Sequence, residues 1–133
     1  MRGFELDTDA LRRGVAVSLA TTVPFALLYW GFPDNRGVLA VFTVIVLGGL
    51  VAGSALAAMR QQVGLPLAHG LVSALTVFGV LQVVRLVRLV ASDNDIRWNA
   101  VLSNLLLSII AGTVGGLVGT RVTLRRTRHQ ESP

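Results

Sequence analysis

The chain has 133 residues, of which 53% are apolar and 14% charged, with 14 glycines and a formal net charge of +5. Soluble domains carry about 25% charged residues, so this composition excludes an ordinary water-solvated globule. The absence of cysteine excludes a disulfide, a thiolate metal site and a cysteine nucleophile, and every basic residue apart from the histidines is arginine.

Four stretches run without Asp, Glu, Lys or Arg: Gly14 to Phe32, Gly37 to Met59, Gly64 to Val84 and Asn99 to Thr120. A bilayer core about 30 Å thick needs roughly 20 residues of apolar helix to cross it, and each stretch is about that long. A soluble bundle would instead place charges on its outward faces at helical spacing. The sequence therefore predicts an all-α membrane protein of four transmembrane helices in a single domain over 1–133. The expected spans are 13–32, 37–59, 65–88 and 99–120, followed by a basic cytoplasmic tail over 121–133.

The N-terminal segment is mixed in charge, and Asp7 or Asp9 is suited to cap a helix beginning near Leu11. Glu5, Asp7 and Asp9 suit a signal n-region poorly, and no small-x-small site follows Trp30, so the first apolar stretch is expected to stay as a spanning helix. It carries Pro24 in its second half and ends in the interfacial aromatics Tyr29 and Trp30. The turn Pro33-Asp34-Asn35-Arg36-Gly37 then predicts a tight hairpin with the second span. Arg60-Gln61-Gln62 closes that span, and Pro66 suits the first turn of the third. The third helix is expected to pass the hydrocarbon to reach Arg85 and Arg88, with the polar loop Ala91 to Arg97 and the interfacial Trp98 leading into the fourth. The fourth span is expected to end at Arg121, before a tail containing Arg125, Arg126, Arg128 and His129.

Arginines near span ends are retained on the cytoplasmic side. With both termini inside, eight arginines face the cytoplasm (2, 12, 13, 60, 121, 125, 126, 128) and four face outward (36, 85, 88, 97), which favours both termini in the cytoplasm of a prokaryotic cell while leaving dual topology open. The two hairpins show a weak internal duplication. Val38-Leu39, Gly49, Val51 and Gly53 align with Val101-Leu102, Gly112, Val114 and Gly116, which relates them as parallel repeats.

Small residues recur at four-residue spacing, a pattern that lets helix backbones approach closely where lipid supplies no hydrophobic drive. The second helix has the row Gly49, Gly53, Ala57, and the first offers Gly14, Ser18, Thr22. The third offers Gly70 and Ala74, while the fourth has Ser108, Gly112, Gly116, Thr120 beside Ala111, Gly115, Gly119. Packing inside the bundle is the expected use of these rows, and a dimer interface on one row of the fourth helix is the sharper alternative.

Intramembrane polar residues are few. Gln82 and Asn104 fall at similar depth near the outer ends of their helices, which predicts an amide pair fixing register, with contact to a substrate as the alternative. His69 near the inner end of the third helix is expected to be a hydrogen-bonded structural histidine, with no partner in the sequence for a metal or proton-relay role. No Asp or Glu lies within a span, which argues against the carboxylate chemistry of small proton-coupled multidrug exporters. Arg85 and Arg88, three apart on one face with Arg97 across the loop, are snorkelling anchors or an outward site for lipid phosphate or another anion. The tail arginines are expected to lie against anionic lipid rather than nucleic acid. No Ser/His/Asp set, HExxH or lysine-bearing phosphate loop is present, so no catalytic residue, cofactor or metal is expected.

The arrangement Gly48-Gly49-Leu50-Val51-Ala52-Gly53, Ala68-His69-Gly70-Leu71 and Gly115-Gly116-Leu117-Val118-Gly119 resembles a loose class of small four-span prokaryotic membrane proteins known as domains of unknown function. That resemblance implies a four-helix fold and supplies no activity or site. Ser103-Asn104-Leu105-Leu106 resembles the pore-lining asparagine segment of small fluoride channels, although Phe78 stands alone where those proteins have a phenylalanine-rich third helix. The resulting expectation is a non-enzymatic integral membrane protein acting through helix–helix association, as a homo-oligomer or an accessory subunit of a membrane complex. A homo-oligomeric transporter or channel is the alternative.

Overall fold

The computed structural model describes residues 6–29, 35–91 and 98–130. Trp30, the Pro33 to Asp34 part of the first turn, and the 92–97 loop with Arg97 lie outside the described residues. Among the described residues there are four α-helices and no strands: α1 (Thr8–Tyr29), α2 (Arg36–Arg60), α3 (Pro66–Ala91) and α4 (Trp98–Gln130). All four are long and apolar enough to cross a membrane.

Each boundary has a local chemical cause. Asp7 caps α1: its carbonyl accepts from the Leu11 amide at 3.0 Å, and its Oδ1 accepts from the Ala10 amide at 3.0 Å. The helix thus starts at Thr8, three residues ahead of the expected Leu11. At the start of α2, Asn35 Oδ1 accepts from the Val38 amide at 3.1 Å. The α2–α3 connection is built on Gln61, whose Oε1 accepts from the amides of Gly64 at 2.7 Å and Leu65 at 3.1 Å. Gly64 stands at φ +82, where a side chain would be strained. Pro66 is the first residue of α3, where its missing donor costs nothing.

The fourth helix is longer than its expected span. It runs on past Arg121 to Gln130, because arginines are good helix formers and their charge complements the negative helix C-terminus. Residues 121–130 of the expected tail are thus helical and continuous with α4.

Helix α1 packs on α2 and α3, α4 also packs on α2 and α3, and α2 touches α3 across the middle, while α1 and α4 do not meet. The start of α1, the α2–α3 connection and the last third of α4 share one end of the bundle, termed the near end; the end of α1, the start of α2, the end of α3 and the start of α4 lie at the far end. The core is made of small side chains: Ala55, Ala57, Ala58, Ala74 and Ala111 are buried, with Leu50 and Val77 the only large aliphatic ones among the described residues. Large apolar side chains such as Val44, Val87, Val90, Leu102 and Leu106 point outward. This inverts the soluble pattern and is what a hydrocarbon solvent permits.

Candidate functional site

The near half of the bundle is close-packed backbone. Gly49 and Gly53 of α2 lie against α1, where a methyl group on Gly49 would strike the Thr21 hydroxyl and one on Gly53 the Ser18 hydroxyl. Ala57 completes that row against Gly14, and Ser18 Oγ donates to the Gly49 carbonyl at 3.2 Å. On α4, Gly112 and Gly116 face α3: a methyl group on Gly70 would stand 2.8 Å from Gly116 Cα, and one on Gly112 2.8 Å from Ala74 Cβ. The other α4 row faces α2, with Gly115 seated on Ser54 and Val51 and Gly119 on Ala55 and Ala58. Both rows of α4 are thus occupied by contacts within the chain.

His69 is fully buried at the near end and binds α1 to α3. Its Nε2 accepts from the Asp7 backbone amide at 2.8 Å, which makes Nδ1 the donor to the Leu65 carbonyl, also at 2.8 Å. Asp7 reaches the α2–α3 connection as well, its Oδ2 accepting from the Gln62 amide at 3.3 Å. The Ala10 amide holds the Asp7 carboxyl below the ordinary carboxylate range; partial burial opposes this, and the Gln62 amide reinforces it. Among the described residues no three His, Asp or Glu side chains gather as metal ligands.

Between the two ends lie groups that sequence reasoning caught only in part: Thr22 and Ala111 fall in its small-residue rows, while Val77, Ser54 and Ser73 do not. Leu50, Val77 and Ala111 form the central apolar cluster. One turn nearer the termini stand Ser54 and Ser73, fully buried, and Thr22 is buried in α1. The hydroxyls of all three have no hydrogen-bond partner. Most helical Ser and Thr here bond a carbonyl one turn back, as Thr43, Thr76 and Ser108 do. Ser54 and Ser73 give no signal in sequence beyond being small.

The far half is open. A cavity of about 430 Å³ lies among all four helices beyond the Leu50 layer. Its walls are Phe25, Phe42, Leu47, Leu50, Phe78 and Leu81, with the Phe25 and Phe42 rings 5.7 Å apart and tilted by 59°. Its polar lining is Thr43, Gln82, Arg85, Asn104 and Ser108. Gln82 and Asn104 therefore share a cavity as their matching depths suggest, yet among the described residues neither amide side chain makes a hydrogen bond, to the other or elsewhere. Arg85 and Arg88 part company: Arg85 is half-buried and lines the cavity, whereas Arg88 is exposed and does not line it. Arg85 has no ion-pair partner among the described residues. A smaller apolar cleft of about 190 Å³ lies on the other side of Gln82 and Arg85, between the far ends of α3 and α4 and beside Trp98.

These features define a fold of four helices, each long and apolar enough to cross a membrane, whose near half is close-packed and whose far half surrounds an open, mainly apolar cavity with a guanidinium in its wall. Comparison with protein-family models, with curated proteins and with solved structures found no match to the chain.

Proposed function

We propose that the chain is a non-enzymatic multi-pass protein of the prokaryotic cytoplasmic membrane, acting through association of its helices with others, as a homo-oligomer or as an accessory subunit of a membrane complex. One observation carries this reading. The small-residue rows are used up inside the chain, yet the far halves of α3 and α4 keep Val83, Val87, Val90, Leu102, Leu106 and Ile110 exposed. Less than a third of each span's most apolar window is buried within the chain, which leaves ample lateral surface for such a partner.

The arginine distribution supports cytoplasmic termini, and the basic end of α4 would then meet anionic lipid. A two-hairpin duplication has support too: Gly49 and Gly53 of α2 sit on α1 as Gly112 and Gly116 of α4 sit on α3.

The test uses the lack of native cysteine. Single cysteines at Leu102, Leu106 and Val87 should crosslink in native membranes to a second copy or to one stoichiometric partner, and cysteines at Val44 or Leu28 should not. Recovery of a lone monomer in mild detergent, together with no crosslink at any position, would refute association.

The cavity favours a second reading, a homo-oligomeric transporter or channel. Within one chain the space ends at the Leu50, Val77 and Ala111 layer, so a continuous path would need other copies. Ion flux in liposomes that changes in Asn104→Ala or Gln82→Ala would support it, and flux equal to that of empty liposomes would remove it.

A further inference from the structure

We infer that the far-end cavity is a binding site for an anionic amphiphile, a molecule whose phosphate or carboxylate head sits at Arg85, Gln82 and Asn104 while its hydrocarbon chain fills the floor beneath. This holds whether or not the chain associates with others.

The size, the walls and the charge each narrow the class. At about 430 Å³ the space falls in the range of small-molecule pockets, roughly 300 to 1,000 Å³. The floor of Leu47, Leu50, Phe78 and Leu81 offers almost nothing to a polar solute and matches a hydrocarbon chain. Higher up the lining changes character. Asn104 and Arg85 each stand about 9 Å along their helices from the far end, at a rise of about 1.5 Å per residue, with Gln82 one turn deeper. Among the described residues no carboxylate lines the cavity and Arg85 has no ion-pair partner, so within them its charge is uncompensated in a partly desolvated place. Such a cation favours an anion able to accept two parallel N–H bonds, and the Gln82 and Asn104 amides have donors to spare for the same oxygens.

Neither half of the ligand suffices alone. A free inorganic anion would leave the apolar floor unfilled, and a neutral hydrocarbon would leave the guanidinium unpaired. Beneath the floor the close-packed near half stops the chain from passing through, so this is a seat rather than a passage.

The experiment places the protein in phosphatidylcholine nanodiscs with a palmitate analogue bearing a photoreactive group at its chain end, and locates the adduct by peptide mass spectrometry. Labelling should map to the floor, around Leu47–Leu50 and Phe78–Leu81. Palmitoyl lysophosphatidate should compete, while monopalmitoylglycerol, with the same chain and no charge, and inorganic phosphate should not. Arg85→Gln should weaken the apparent affinity about tenfold or more, the worth of one charged hydrogen bond, and Arg88→Gln should leave it unchanged. Competition by phosphatidylglycerol doped into the disc would identify a bilayer lipid as the source, and competition by single-chain anions alone a free amphiphile; either supports the site. Equal competition by the neutral lipid, or wild-type labelling in Arg85→Gln, would overturn it. Should Arg85→Gln fail to fold, Leu81→Trp fills the floor and leaves the arginine in place, and undiminished labelling in that variant refutes the site.

Discussion

The near and far halves of this bundle are cut from the same four helices but solve opposite problems. In the near half, glycine and alanine bring backbones together until no methyl group can be added at Gly14, Gly53, Gly115 or Gly119 without displacing a neighbour. Lipid gives no drive for burying apolar surface, so this half is held by dispersion between closely approaching backbones and by a few hydrogen bonds such as Ser18 to Gly49. In the far half, phenylalanine, leucine and valine hold the helices apart, and the space they leave is a cavity. Gly48 and Gly79 make the same point by contrast, since an added methyl group there meets nothing within 4 Å. Glycine content alone does not define the tight region; the face on which each glycine lies does.

The largest expected effect comes from adding the same volume to each half. Ala57 is fully buried against Gly14, whereas Ala26 lines the far-end cavity. Ala57→Leu should therefore destabilise the bundle by about 3 kcal/mol or more through overpacking. Ala26→Leu should fall within about 1 kcal/mol of wild type, since the new atoms find room. Titration with dodecyl sulfate from mixed micelles, read by tryptophan fluorescence, measures both. Equal losses at the two positions would break the distinction between the halves.

How far this division can be read from sequence depends on the residue. The four helices are legible because uncharged runs of bilayer length have few other uses. The α4 rows Gly112, Gly116 and Gly115, Gly119 are visible as helical spacing, but spacing cannot say which neighbour each row meets. Only the fold places the first pair on α3 and the second on α2. Equal depth along two helices brings Gln82 and Asn104 to one cavity, yet depth carries no information about rotation about the helix axis. That is why Arg85 turns to the chamber while Arg88, three residues on, is exposed. A cavity is made by what four helices fail to fill, and no local pattern records it. The start of α1 at Thr8 is chosen by a distant contact. Asp7 and Asp9 are equally good caps in sequence, and the decision rests with His69, some sixty residues away, which receives the Asp7 amide.

A smaller effect is expected from that histidine, which tests whether the near half depends on polar contacts as well as on small residues. His69→Ala removes the acceptor for the Asp7 amide and the donor to the Leu65 carbonyl. An unpaired buried backbone group costs about 1 to 3 kcal/mol, so the variant should unfold at lower dodecyl sulfate by that amount. Hydrogen exchange should rise at Asp7 and in the first turn of α1, with protection in the far half of α3 unchanged. A uniform rise along all four helices would mean that His69 supports the whole bundle rather than its near end.

The smallest and most local effect should come from titrating Asp7. Its folded carboxyl is held below the ordinary value of 3.8, first by the Ala10 amide, with partial burial working against this and the Gln62 amide working with it. A group whose folded pKa is depressed contributes stability that is fully present above its unfolded pKa and is lost as pH falls through the folded value. Acidification below about pH 4 should therefore fray the first turn of α1 and free the Gln62 amide, whereas nothing in this linkage changes between pH 5 and 8. Asp7→Asn keeps a cap oxygen and removes the charge, so its hydrogen exchange at Ala10 and Gln62 should no longer respond to acid. If Asp7→Asn shows the same acid-induced exchange as wild type, the response arises elsewhere, and the junction of α1 with the α2–α3 connection does not rest on this carboxylate.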